Sequence, residues 1–151
     1  KNSLLTRDRE LGYRAAMKQA KLPIQGGWVA EGQLTIDGAR QATRELLNHN
    51  DRPTAIFCAN DEMAIGCLHE IKAAGLKVPD DISVIGFDDI RYAEVTDPPL
   101  TTVSQPAEEI GERVMYRLCR RIEEGPGNGD DETRIVPHKL VIRQSVARPG
   151  G

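Results

Sequence analysis

The sequence predicts an α/β fold, a three-layer sandwich around a mainly parallel sheet. Short apolar, β-branched runs alternate with longer segments of helical periodicity, which is the pattern of βαβ units. Two of the runs, 54–58 (TAIFC) and 82–86 (ISVIG), are apolar throughout, as suits strands covered on both faces of a parallel sheet. The chain has 151 residues, 39% apolar and 28% charged, the composition of an ordinary globular domain. At this size about two-thirds of the unfolded surface can be buried without disulfide or metal staples. Aromatic residues make up only 4%, so the core must be aliphatic.

The elements follow in order. Leu11, Ala15 and Leu22, with Ala16 and Met17 beside them, predict a helix over 7–22 that Pro23 ends. Gly26 and Gly27 punctuate, and 28–30 (WVA) reads as a short strand closed by Gly32. Asp37 opens a helix whose Ala39, Ala42, Leu46 and Leu47 share a face, and the strand 54–58 follows. Met63, Ala64, Cys67, Leu68, Ile71 and Ala74 predict the next helix, with Gly75 as its C-terminal stop, and then the strand 82–86. Residues 90–99 hold at most one helical turn, because Asp97 before Pro98-Pro99 must be extended. A third strand spans 101–104. Pro106 suits the first position of a last helix in which Ile110, Val114, Leu118 and Ile122 step by four along one face. Residues 125–134 (GPGNGDDETR) read as a flexible loop, and 135–146 as one or two closing strands.

Several function classes are disfavoured. Twenty Lys and Arg against 23 Asp and Glu give a net charge of −3 with no basic cluster, unlike a nucleic-acid clamp. No apolar run approaches the roughly 20 residues of a membrane span. Cys58, Cys67 and Cys119 lie in apolar stretches without CxxC spacing, so they read as buried thiols of a reducing compartment rather than disulfide or zinc ligands. His49, His69 and His138 are single and far apart. Phosphate-loop, nucleophile-elbow and dinucleotide motifs are absent, so no catalytic residue, metal ligand or cofactor is assigned. The first residue is Lys1, which reads as a processed chain or a fragment.

In open α/β sheets, ligands bind beyond the carboxyl ends of the strands. Three predicted strands are followed at once by polar residues: Asn60-Asp61, Asp88-Asp89 and Gln105. Carboxylates and amides suit a neutral polyhydroxyl ligand, since a carboxylate accepts from two donors and an amide both donates and accepts. Asn and Asp are also preferred helix N-caps, so each pair has a capping role open to it as well.

These residues stand in a longer pattern. Residues 52–114 carry NDEMAIG after a strand, then GLKVPDDISVIGFDD, then PPLTTVSQP before a helix, and 9–17 read RELGYRAAM. Linked in this order, the motifs resemble the effector-binding domain of bacterial transcription regulators of the lactose/galactose repressor family. The resemblance implies a periplasmic-binding-protein-like lobe. Residues 1–105 would form the second lobe, 106–124 a crossover helix belonging to the first, 125–134 a loop, and 135–151 the return strand and tail. The DNA-binding domain would be absent from this chain, and the helix over 106–122 would lack part of its intended cover.

On the same resemblance, Arg9 matches an arginine able to fork onto two effector oxygens. Asn60, Asp88 and Gln105 match polar positions at the effector, and Leu34 stands where many members place a stacking aromatic ring. The composition alone would read Arg9 as a solvated helix residue. A homodimer is implied through Ile65, Leu68, Val95 and Thr96, for which core packing is the competing role. The implied protein is cytoplasmic, probes a small sugar or nucleoside, and meets operator DNA only through its missing domain. A periplasmic sugar-binding protein and an α/β enzyme are the rival readings.

Overall fold

The computed structural model describes residues 4–125 and 135–148. In chain order its elements are α1 (Leu4–Gln19), α2 (Ile36–Leu47), β1 (Ala55–Phe57), α3 (Asp61–Ala73), β2 (Ser83–Ile85), β3 (Thr102–Ser104), α4 (Ala107–Glu124) and β4 (Lys139–Val141). Strands β1 and β2 pair in parallel with Ile56 opposite Val84. Parallel bridges Ile85–Thr101 and Asp88–Ser104 continue the sheet to β3, and β4 closes it antiparallel, Val103 opposite Leu140. Past β4 the chain returns to this seam. The fully buried Ser145 donates its hydroxyl to Val84 O at 2.6 Å and accepts from Thr101 N at 2.8 Å, so polar groups between β2 and β3 find partners.

Local chemistry explains the helices. Thr35 caps α2, its hydroxyl accepting from Gly38 N at 3.1 Å, and Asn60 caps α3, accepting from Met63 N at 2.9 Å. After α3, Gly75 takes φ +77°, a conformation free of strain only for glycine, and Leu76 N returns to Ile71 O. The two helices pack closely because Gly66 has no side chain: a Cβ there would overlap Ile36 O. Across this contact the buried Glu70 accepts from Arg40 Nε at 2.7 Å and pairs with Arg44 at 3.1 Å. The Arg40 hydrogen bond, helped by both arginine charges, holds the Glu70 carboxyl below its ordinary value. Ile56, Cys58, Ala64, Cys67, Leu68, Ile71, Ile82, Val84 and Leu100 form the core beneath, an aliphatic one as expected.

Four local expectations need correction. Residues 28–30 form no strand; Trp28 N is committed to a turn with Gln25 O, and its indole donates to Asp51 O at 2.8 Å. β1 is buried only at Ile56, because Ala55 and Phe57 face a cavity of about 690 Å³ between β1, α1 and the 28–34 segment. Pro106 is the N-cap of α4 rather than its first residue. Cys119 is exposed while Cys58 and Cys67 are buried, since α4 has no buried residue at all. The loop expected at 125–134 lies, beyond Gly125, outside the described residues.

Candidate functional site

Five residues named from the sequence come together at the carboxyl ends of β1, β2 and β3. Asp88 follows β2 and is fixed by its own N–H, which donates to Val103 O at 2.9 Å. Its φ of +115° and the +58° of Asp89 are conformations that side-chain-bearing residues avoid, and such strain persists where the surrounding fold enforces it. Two donors converge on Asp88 Oδ1: Gln105 Nε2 at 2.7 Å and Arg9 NH2 at 3.3 Å. Oδ2 accepts from none of the described residues. Burial pushes the Asp88 carboxyl above its ordinary value, opposed by the Arg9 charge and the Gln105 hydrogen bond and reinforced by the charge of Asp61.

Arg9 reaches this point from α1. It also donates to Ala59 O and lies 3.9 Å from the centre of the Phe87 ring, a cation–π contact that fixes the plane of the guanidinium. Only 15% of its side chain is exposed, so it is not the solvated helix residue that composition would favour. Phe87 was missed in the sequence reading, although it directly precedes Asp88 and is one of only two phenylalanines.

Asn60 serves as the cap of α3 through its oxygen, while its amide nitrogen donates to Leu34 O at 3.4 Å. Both ends of that amide are therefore engaged within the protein. Leu34 sits on a left-handed turn, φ +57° after Gln33 at +54°, which carries it to the rim of the 690 Å³ cavity with Arg9, Trp28 and Met63. The neighbours of the two Asx residues face the other way. Asp89 pairs with Arg143 at 2.8 Å, and Arg143 also donates to Leu100 O, fastening the loop to the returning chain.

The residues named for dimerisation differ in exposure. Val95 is 71% exposed, Ile65 is half-buried, and Leu68 takes the packing role, buried at 7% in the core. Thr96 donates to Ala93 O and Pro98 O, which holds the turn that presents Val95.

An α/β lobe with polar groups at the strand ends is the architecture of small-molecule-binding lobes, and comparison agrees. The chain belongs to the periplasmic binding protein-like domain family, whose profile matches residues 1–146. Within it, the chain is similar to lactose-repressor-type regulators. It is 40% identical over 147 residues to the HTH-type transcriptional repressor PurR of Vibrio parahaemolyticus, covering 96% of this chain and 43% of that protein. A LacI-type putative transcriptional regulator from Bacillus cereus superposes with TM-score 0.88 at 29% identity, over 94% of this chain and 50% of that one. The lac repressor dimer bound to operator and the anti-inducer ONPF superposes at 0.83 with 30% identity, over 97% and 49%. The chain thus spans less than half the length of the curated relative it matches. These relatives are regulators rather than enzymes, and no described helix is long and apolar enough to cross a membrane.

Proposed function

We propose that this chain is the greater part of the effector-sensing lobe of a bacterial transcription repressor. A small sugar or nucleoside binds at Asp88, and its binding changes the operator affinity of a DNA-reading domain outside this chain. The convergence of Arg9 and Gln105 on one oxygen of Asp88 carries the reading, since it holds that carboxylate rigid and leaves the other oxygen to accept from ligand hydroxyls or N–H groups. Leu34 offers the ligand an aliphatic wall, and Asn60 shapes the site chiefly by holding Leu34 and the start of α3.

Of the described residues, 4–105 and 135–148 form the second lobe and 106–124 the crossover helix that packs in the first, in line with an α4 that buries nothing here. Val95 and Thr96, with Ile65 and at most the edge of Leu68, face a second protomer. The repressor names of the relatives favour regulation in the cytoplasm over periplasmic transport. The ligand can act only by binding one lobe arrangement better than another, so closure of the two lobes on it is the step that couples the sites.

The test is Asp88→Ala in the full-length protein. Effector response should be abolished while operator binding without effector stays at the parent level. Calorimetric titration with sugars and nucleosides, alongside operator titration, measures both, and a variant that responds with parental affinity refutes the assignment.

A further inference from the structure

We propose that Asp61 is the positioning residue of this site: its carboxylate ties the start of α3, beside Asn60, to the loop that carries Asp88 and to strand β3, which leads to Gln105. The inference rests on the effector-site reading above. Asp61 is fully buried, and among the described residues no cation pairs with it. A buried carboxylate is tolerated only where hydrogen bonds replace its water. Both oxygens meet that condition, one on strand β3 and the other on the loop after β2. Oδ1 accepts from the Thr102 hydroxyl at 2.6 Å, and Oδ2 accepts from the backbone N–H of Ile90 at 2.9 Å.

The placement of those partners gives the carboxylate its reach. Thr102 begins β3, three residues before Gln105; Ile90 follows Asp88 by two; Asp61 itself is the first residue of α3, next to Asn60. The free N–H groups of the first helical turn favour a negative charge at that position. The space is also prepared, because a Cβ on Gly86, at the end of β2, would overlap Asp61 Oδ1. One buried group therefore sets the spacing of donors and acceptors that must meet a ligand together. None of its oxygens is left for the ligand.

Hydrogen exchange of the unliganded full chain, read by mass spectrometry, tests the tie without any knowledge of the effector. Thr102→Val keeps the shape and removes one hydrogen bond, Asp61→Ala removes both, and Thr102→Ser keeps the hydroxyl. In Thr102→Val, amides of 87–91 and 103–105 should exchange about tenfold faster, the factor that losing one hydrogen bond to a charged group allows. Amides of 64–71 inside α3 should keep their rates, and Thr102→Ser should match the parent. Asp61→Ala should show the same local pattern, more strongly; if it does not fold, Thr102→Val decides. Parental rates in 87–91 for Thr102→Val overturn the proposal, as does acceleration spread equally through α3, which would make Asp61 a general stabiliser. The underlying reading is tested apart: if Asp88→Ala binds D-ribose and adenosine as the parent does, the site assignment fails while the exchange result stands.

Discussion

Helices α3 and α4 invert what amphipathic patterning alone suggests. In α4 the apolar positions Ile110, Val114, Leu118 and Ile122 form one clean stripe, yet none of its 18 residues is buried, and Ile122 is 74% exposed. In α3 apolar and polar residues are less sharply segregated, yet seven of its 13 residues are buried. The difference lies in the neighbours. The sheet covers α3 on one side and α2 on another, where Gly66 admits the backbone of Ile36, so apolar and small residues are useful nearly all round it. A stripe records that a face is meant to be covered. Whether the covering element is present is a property of the rest of the molecule.

Substitutions can break this contrast. The largest effect is expected from Ile71→Ala in α3, where a fully buried side chain leaves a cavity, and urea unfolding should show a loss of about 2–5 kcal/mol. Gly66→Ala should cost about 1–3 kcal/mol by the same measurement, since the new methyl must push α2 away from α3. A smaller, pH-dependent effect concerns Glu70. Its carboxyl is held low in the fold, so its contribution is fully present above the unfolded value of 4.5 and is lost as pH falls below that through the depressed folded value. The gap in urea midpoint between the parent and Glu70→Gln should therefore be widest near neutrality and close on acidification. Smallest of all, Val114→Ala on α4 should change the stability of this chain by less than about 0.5 kcal/mol. In the full-length protein the same change should cost about 1 kcal/mol or more if a first lobe buries that stripe; equal effects in both would remove the ground for assigning α4 to that lobe.

The candidate site shows where sequence reading succeeds and where it stops. Asn60, Asp88 and Gln105 were legible because each stands one or two residues past an apolar strand, and a strand's end locates the residues just after it on one edge of the sheet. Arg9, far away in the chain, was legible only through the family resemblance, and its contact with Asp88 spans 79 positions. Phe87 and Arg143 were not singled out, and Asp61 was named only beside Asn60, as one of the polar strand-end residues. Adjacent residues share a loop but not a direction: Asp88 meets Arg9 and Gln105 while Asp89 pairs with Arg143, and Asn60 holds Leu34 while Asp61 turns inward to Thr102 and Ile90. The strand expected at 28–30 failed for a related reason. Its residue types suit a strand, but strands are completed by hydrogen bonds to a neighbour, and here the Trp28 amide is spent on a local turn.

From the sequence by itself came the α/β class, the order of the elements, the aliphatic core and the polar strand ends, because these rest on periodicity, turn chemistry and composition, which are local. Only the tertiary structure decided which oxygen of Asp88 is already engaged, which carboxylate locks the loops together, why β1 is covered on one face alone, and that α4 stands uncovered. Each of these depends on which distant segments meet, and on the direction a side chain takes from a backbone that neighbouring residues share.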